Sequence, residues 1–526
     1  MTRSRSEVLA RSKWCGLAFV ASLSACVSVQ RAVDVSPLPV GDTPSLAVAV
    51  DGRYVSWREH RIDDEALNGG VPIRGGDGLV EADIDRDGIL DIISVHEDSN
   101  HLRIAFGTPD PDRWQLVTVA EGAVVQAIED VAVGDLDGDG WKDLVAASEE
   151  GHLAFFRNPG AGVRESMWEH HVPRVTTGRG SWLRTFVADL DGDGRLDVLG
   201  ANKGASDIVD PGSPRADRAT SLFTIVGNPL DDASWQEQVL LRRDVPNTAM
   251  PIDIDGDGDL DVLAAARLAQ QAYVLENEGR QTDGEVRIVP HAIQIDPGSS
   301  QCTVTTSAFQ SDFADIDGDG RLDVVVGVIE QCGDLRAPNG LPALGWLRQP
   351  ASLNRSWRYH RIGDILPDMP IGIEIADFDG DGDVDVVTGG YSGLNILKGG
   401  YSDASRDIDS PGVDASATVG RIAWFANPGR GTGPWQRHDI SRRVRGMYDA
   451  FIARDLDGDG DLDLITTRGN SGEFDGVVWL EQVRYDRPSA TFSSARVLES
   501  TPLPLPPADW LDRYGSSNTL VAPNKK

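Results

Sequence analysis

A nine-residue pattern, DxDxDGxxD, occurs seven times in this chain and constrains its fold more than any other feature. Every copy, called a cassette below, keeps all four aspartates and the glycine and leads into a short apolar stretch rich in Val, Ile and Leu. Carboxylates at positions 1, 3 and 5 of a tight loop converge on one point, and hard divalent cations prefer oxygen ligands. The spacing therefore predicts seven metal sites, whose ligands are Asp83, Asp85, Asp87 and Asp91; Asp135, Asp137, Asp139 and Asp143; Asp189, Asp191, Asp193 and Asp197; Asp253, Asp255, Asp257 and Asp261; Asp315, Asp317, Asp319 and Asp323; Asp377, Asp379, Asp381 and Asp385; and Asp455, Asp457, Asp459 and Asp463.

Calcium is the predicted cofactor, with up to seven ions per chain. In the last cassette Gly460 permits a bend with positive φ, and Asp463 closes the ligand shell. Two unit charges about 4 Å apart repel by roughly 4 kcal/mol at an effective dielectric near 20, so we expect metal binding to be coupled to folding. Magnesium is the weaker candidate because it demands near-ideal octahedral geometry and gives up its waters reluctantly.

The residues that follow each cassette exclude an EF-hand. An EF-hand loop needs a bidentate glutamate at position 12 and a helix on each side. Position 12 of the seven cassettes is occupied by residues without a carboxylate, namely Ser94, Ala146, Gly200, Ala264, Val326, Thr388 and Thr466. The flanking runs are short and β-branched, which is typical of buried strands.

The spacing of the cassettes predicts a repeated all-β unit. From Asp83 to Asp455 there are 372 residues in six intervals, a mean of 62 residues per unit. Within a unit, a second apolar run ends in an Asn-Pro turn, as at Asn158 and Asn427, and a further segment opens with Trp, in four units as Trp-x-x-His. Each unit thus offers four strands, one before the cassette and three after it. Four antiparallel strands per repeat is the composition of a β-propeller blade.

With these motifs the chain resembles the FG-GAP/VCBS repeat proteins, which include the propeller heads of integrin α subunits. The resemblance covers roughly residues 46–499 and implies an all-β, seven-bladed β-propeller with calcium in the blade loops. The first cassette departs from the others because Arg86 replaces glycine, and most units lack a Phe-Gly/Gly-Ala-Pro signature, which weakens the tie to integrins. If the segment 45–62 closes the blade of the last cassette, the ring has seven blades; if residues 490–498 complete that blade instead, a partial eighth is possible.

The strong negative charge is largely a consequence of the cassettes. The net charge is −34, and the cassettes contribute 28 aspartates, so seven bound calcium ions would bring the formal charge to −20. Nucleic acid is therefore excluded as an expected partner.

The N-terminus is similar to a bacterial lipoprotein signal. Basic residues precede the mostly apolar run 14–22, which is too short to span a membrane, and the run ends in Leu23-Ser24-Ala25-Cys26. This resemblance implies a signal peptide at 1–25, acyl chains on Cys26 and a tether at 26–45, so the only expected membrane contact is the lipid anchor at the cell envelope. An ordinary signal peptide with a chance cysteine is the alternative. Residues 500–526 form a Pro-rich and polar tail.

Export permits disulfides, and two cysteines remain after the N-terminal region is set aside. Cys302 and Cys332 flank the fifth cassette almost symmetrically, which favours a bridge between them. Two free buried thiols are the alternative.

No motif identifies catalytic residues. The string His96 to His101 misses HExxH by one residue, and no GxSxG is present. Three insertions after the post-cassette strands, at 202–220, 330–343 and 390–419, are the better functional candidates, because insertions in repeat proteins usually emerge on one face. We therefore expect a lipid-anchored calcium-binding propeller that presents these loops to a protein or glycan. A carbohydrate-active enzyme related to polysaccharide lyases or sugar dehydratases, and a structural scaffold of an envelope complex, are the alternatives.

Overall fold

The computed structural model describes residues 44–495 except 166, 205–217, 244, 283, 333–339, 366–367, 392–393, 396–399, 402–418, 445 and 470. The regular secondary structure of the described chain is almost entirely β-strand. Its helical segments are single 3₁₀ turns, at Gly122–Val125, Gly160–Gly162, Arg174–Thr176, Asp232–Ser234 and Gly472–Phe474. None of the described helices is both long and apolar enough to cross a bilayer.

The strands form seven blades of four antiparallel strands, which confirms the propeller predicted from the repeat. The first strand, β1 (Tyr54–Asp64), belongs to the last blade. Blades 1 to 4 follow the chain in order, with β2 (Gly76–Ala82), β3 (Asp91–His96), β4 (His101–Phe106) and β5 (Gln115–Glu121); β6 (Ile128–Gly134), β7 (Asp143–Ser148), β8 (Leu153–Phe156) and β9 (His170–His171); β10 (Ser181–Ala188), β11 (Asp197–Gly204), β12 (Ala219–Ile225) and β13 (Trp235–Leu241); and β14 (Pro246–Ile252), β15 (Asp261–Ala266), β16 (Gln271–Arg280) and β17 (Val286–Ala292).

The last three blades carry additional strands. Blade 5 contains β18 (Ile295–Asp296), β19 (Cys302–Thr305), β20 (Ser311–Ala314), β21 (Asp323–Cys332), β22 (Leu341–Arg348) and β23 (Trp357–Gly363). Blade 6 contains β24 (Met369–Ala376), β25 (Asp385–Tyr391), β28 (Val419–Ala426) and β29 (Gln436–Val444), with a separate pair formed by β26 (Leu394–Asn395) and β27 (Gly400–Tyr401). Blade 7 contains β30 (Phe451–Arg454), β31 (Asp463–Arg468) and β32 (Gly476–Tyr485), followed outward by β1 and β33 (Phe492–Ser493).

The ring is closed by its two ends. Strand β1 pairs antiparallel with β32, from Tyr54 opposite Tyr485 to Asp64 opposite Gly476. The short strand β33 then adds outside β1 in parallel register, with Trp57 opposite Phe492. The N-terminal strand thus completes the blade of the seventh cassette, and the seven-bladed count is confirmed.

The antiparallel order places the cassettes and the insertions at opposite rims. Within each blade the chain runs outward from the innermost strand, here called A, through B and C to the outermost, D. Each cassette connects A to B, so all seven lie at one rim, called the cassette rim. The three insertions depart from B strands, namely β11, β21 and β25, whose ends lie at the opposite rim. Most residues of the insertions themselves lie outside the described ranges.

The hydrophobic core lies between neighbouring blades. Its largest fully buried side chains are tryptophans, namely Trp182, Trp346, Trp357, Trp424 and Trp479. The Trp-x-x-His pattern contributes to the same packing, because His60 stacks on Trp479 and His360 on Trp346, with ring centroids 4.2 and 4.1 Å apart. The recurrent histidines are therefore part of the blade architecture.

Candidate metal centres

Each cassette is a tight loop held by hydrogen bonds from its own backbone to its aspartates. In the last cassette the Gly460 N–H donates to Asp455 Oδ2 at 3.2 Å, and the N–H groups of Asp459 and Asp461 donate to the Oδ1 atoms of Asp457 and Asp459 at 3.1 Å. The same three bonds recur in all seven cassettes at 2.8 to 3.2 Å. One oxygen of each of these aspartates is thereby oriented by the backbone.

Two positions in every loop adopt a left-handed backbone. The invariant glycine at position 6 has φ between 84° and 100°. Position 4 is also left-handed, and six cassettes place glycine there, which has no Cβ to resist this conformation. The exception is Arg86, with φ of 63°, whose guanidinium lies over the ring of Trp141 in the next blade's cassette at 4.4 Å from the ring centroid.

Three of the four predicted ligands of a cassette converge, although the loop spacing pointed to positions 1, 3 and 5 and the convergent set is 1, 3 and 9. In the first four cassettes the carboxylate oxygens of positions 1, 3 and 9 lie within 4.8 Å of one another. Two buried oxygens of predicted ligands, Asp83 Oδ1 and Asp135 Oδ1, accept no hydrogen bond from any described residue. Buried acceptors without a donor are costly, so these oxygens fit a bound cation.

The closing aspartate at position 9 has a structural role that the pattern alone did not indicate. Asp143 Oδ2 accepts from the Leu136 N–H at 3.1 Å, and Asp143 Oδ1 accepts from the Asn158 N–H at 2.8 Å. The carboxylate thus joins its own loop to the end of strand C. Burial raises the pKa of Asp143 to about 7, and burial likewise raises the pKa of Asp385 to about 8. A nearby cation would favour the ionised form of both groups.

Buried amides at the end of strand C link cassettes of neighbouring blades. The sequence predicted two of them, Asn158 and Asn427, only as turn residues and did not single out the others. Asn158 Nδ2 donates to the carbonyl of Lys142 in its own cassette at 2.9 Å and to that of Ile84 in the preceding blade at 3.2 Å. Gln482 Nε2 makes the equivalent bonds to Leu462 and Phe378 at 3.0 and 3.1 Å. Amides that occupy this position in five blades are Asn158, Asn277, Gln349, Asn427 and Gln482.

In four of these five blades the residue before the amide is charged and lies beside the cassette. Arg157 Nε lies 2.8 Å from Asp137 Oδ2, and Arg348 contacts both Asp317 and Asp319. In blades 4 and 7 this position holds Glu276 and Glu481 instead. The cassettes therefore share a loop geometry but differ in their electrostatic surroundings. The signal was present in the sequence, one residue before the Asn or Gln at the end of strand C in these blades.

Other residues singled out in the sequence have the following positions. Cys302 is disulfide-bonded, and the residue opposite it on the neighbouring strand is Cys332. The pair His96 and His101 lies on adjacent strands of one hairpin, and burial lowers the pKa of His96 to about 3. Cys26, with the signal and tether segments, lies outside the described residues, as does the tail 500–526.

Three segments of the chain match a known repeat model in sequence. The FG-GAP-like repeat matches residues 83–146, 135–200 and 253–326. Each matched stretch begins at one cassette and ends in the strand that follows the next cassette. No curated protein matches the chain in sequence.

Two solved structures that are similar in fold share 12% sequence identity with the chain. One is the crystal structure of BBS1N in complex with ARL6DN, soaked with mercury, which has a TM-score of 0.41 and covers 83% of this chain and 98% of that chain. The other is the same complex soaked with lead, with a TM-score of 0.39, covering 78% of this chain and 94% of that chain. From its matched segments and its strand order, the chain is a seven-bladed β-propeller that carries FG-GAP-like repeats.

Proposed function

We propose that this chain is an exported, lipid-anchored β-propeller that binds calcium in its cassettes and uses the opposite rim to bind a protein or glycan. The observation that carries the proposal is the division of the ring between two rims. Seven loops of one geometry occupy the cassette rim, and the three insertions leave from the other. A stabilised ring with variable loops on one face is a common design for binding proteins.

The donor set at the cassettes favours calcium. All candidate ligands are oxygens, and the convergent carboxylates of one loop repel one another strongly without a cation. When bound, calcium would neutralise this charge and hold the loop closed. The protein contributes the glycine-permitted bends, the backbone N–H groups that orient each carboxylate, and the amides that join one cassette to the next.

The point where the N-terminal segment reaches the ring supports an orientation on the membrane. Val50 N–H donates to the Asp379 carbonyl of the sixth cassette at 2.8 Å, so the chain arrives at the cassette rim. Alternate residues of this segment expose apolar side chains, with Leu46, Val48 and Val50 exposed by 75%, 44% and 66%. If Cys26 is acylated, the anchor approaches from the cassette side, and the insertion-bearing rim faces away from the membrane.

The enzyme alternative requires reactive groups that a substrate can reach at the centre of the ring. Carboxylates and an arginine do meet there, but the side chains of Asp130, Arg184 and Asp449 are only 10%, 7% and 4% exposed and pair with one another. A binding role therefore receives more support than a catalytic one. Co-purifying envelope proteins without ligand specificity would favour the scaffold alternative.

A binding experiment with the full-length protein tests the proposal. We expect wild-type protein to bind a subset of a glycan array or a defined envelope protein, and a variant with residues 402–418 replaced by a short Gly-Ser linker to lose that binding while it keeps its unfolding midpoint. Products released from a polysaccharide panel would contradict the binding role in favour of catalysis. For the anchor, a Cys26→Ser protein that still partitions into detergent would contradict lipidation.

A further inference from the structure

A second group of acidic side chains lies far from the cassettes, at the opposite rim. Glu97 directly follows β3, Glu129 lies in β6 and Glu149 directly follows β7, so the group joins blades 1 and 2. One carboxylate oxygen of each of the three glutamates lies within 4.8 Å of the other two. No cassette residue belongs to this group.

Contacts across the ring place this group beside the propeller axis. Arg184 of blade 3 pairs with Asp130 of blade 2 at 3.5 Å and with Asp449 of blade 7 at 3.2 Å. Gln310, which precedes the innermost strand of blade 5, donates to the carboxylate of Asp449 at 3.2 Å. Side chains from four blades can meet only near the axis. Since Glu129 is the chain neighbour of Asp130, the glutamates lie next to this central network.

A fourth carboxylate, that of Asp77, belongs to the same pocket. A Cβ at Gly78 would lie 2.9 Å from Asp130 Oδ1 and 3.1 Å from the Glu129 carbonyl, so the start of β2 packs directly against this pair. Asp77 is 5% exposed, and its Oδ2 accepts no hydrogen bond from the described part of the chain. Burial raises the pKa of Asp77, and the carboxylates of Glu129 and Glu97 raise it further. A buried oxygen without a described donor thus belongs to the residue next to the Gly78 contact with Glu129.

Two basic side chains of the described residues border the pocket. The Lys203 ammonium pairs with Glu149. The Arg184 guanidinium is engaged by Asp130 and Asp449. A cation bound among the carboxylates would offset their mutual repulsion where they are buried.

We propose that Glu97, Glu129 and Glu149 bind a hard divalent cation at the propeller axis, with the unpartnered oxygen of Asp77 completing the donor set. Carboxylate oxygens alone select calcium, magnesium or manganese over softer metals. Because the ligands come from two blades, the ion would cross-link blades 1 and 2 on the rim from which the insertions leave. This site is separate from the cassettes in position, and three of its four proposed ligands are glutamates where the cassettes use aspartates.

Metal counting on the full-length protein tests the site. Wild-type protein, a Glu129→Gln variant and a Glu150→Gln control are stripped with chelator, refilled with Ca²⁺ and desalted, and the bound ions per chain are measured by mass spectrometry. Glu150 is an exposed neighbour of the site that accepts a hydrogen bond from Gln126 Nε2 at 2.7 Å. We expect Glu129→Gln to hold one ion fewer than wild type and Glu150→Gln to hold the same number. This difference does not depend on how many cassettes fill.

Two further measurements secure the interpretation. An anomalous difference map of Mn²⁺-soaked wild-type crystals should show a peak among the three glutamates. In chelator, Glu129→Gln should unfold at a higher temperature than wild type because it removes a buried charge, and Asp77→Asn should behave alike. Equal ion counts in wild type and Glu129→Gln, or a map with peaks at cassettes and none at the axis, would overturn the proposal.

Discussion

The amide of Asn158 offers the sharpest test of how the ring is held together. Its side chain is buried and makes three hydrogen bonds: Nδ2 donates to the carbonyls of Ile84 and Lys142, and Oδ1 accepts from the Gly160 N–H at 2.9 Å. Asn158→Ala removes all three and leaves two carbonyls at the blade interface without this donor.

The expected cost follows from these contacts. A net hydrogen bond is worth about 1 kcal/mol, and a buried acceptor left without a donor costs roughly 1–3 kcal/mol. We therefore expect Asn158→Ala to lower the free energy of unfolding by about 3 kcal/mol. The assay is equilibrium urea unfolding of the full-length protein in excess calcium, followed by tryptophan fluorescence.

Two variants serve as controls. Asn228 occupies another Asn-Pro turn, but its side chain is exposed and, within the described part of the chain, accepts one hydrogen bond, from the Leu230 N–H at 3.0 Å. Asn228→Ala should therefore cost less than about 1 kcal/mol. Asn158→Gln should retain much of the stability, because Gln482 makes the equivalent bonds in blade 7. If Asn158→Ala is as stable as wild type, or Asn158→Gln is as unstable as Asn158→Ala, the bridging role of the amide is wrong.

Further predictions concern the cation, pH, cassette charge and the disulfide. Calcium should raise the unfolding midpoint of the purified protein relative to chelator, and an unchanged midpoint would remove the metal assignment. In chelator, the free energy of unfolding should fall as pH rises from about 4 to about 8. The reason is that burial raises the pKa of Asp385 to about 8, so the folded state binds more protons than the unfolded state over this range. Calcium binds the ionised form, so its stabilising effect should grow over the same range, and urea unfolding at pH 5 and pH 8 with and without calcium measures both trends. Arg348→Ala should strengthen calcium binding at the fifth cassette, because the Arg348 guanidinium competes with the cation for Asp317 and Asp319. The guanidinium is 44% exposed and solvent screens much of its effect, so we expect a gain of about 1 kcal/mol, roughly five-fold in affinity by calorimetry. An unchanged or weaker affinity would argue against this competition. Alkylation without reductant, followed by intact-mass measurement, should leave Cys302 and Cys332 unmodified, and labelling of both would refute the bridge.

The repeat itself made the fold predictable. Asp83 to Asp455 sets the period, and the Trp that opens strand D and the Asn-Pro turn that ends strand C mark the remaining strands. The N-terminal strand was predicted as one of two ways to close the ring, and the pairing of Tyr54 with Tyr485 decides between them. Such a pairing depends on the ring's circumference, which local patterns do not encode.

The candidate sites were predictable only in part. Loop spacing predicted that cassette carboxylates converge, and Asp83 and Asp85 do so together with the closing Asp91. The apolar residue at position 2 of each cassette, such as Phe378, is buried in most blades and anchors the loop, a regularity that was visible in the sequence but not used. The axial carboxylates were not predictable, because Asp77 and Glu149 are 72 residues apart and meet only through the curvature of the ring.

The closure of blade 7 has a consequence for how the molecule is made. Strand β1 is synthesised first, yet its partner β32 ends at Tyr485, more than four hundred residues later. Until then β1 has an unpaired edge, and edges of this kind invite pairing with other chains. Completion of the ring must therefore be among the last steps of folding, and chains that terminate before β32 should aggregate rather than persist as shorter propellers.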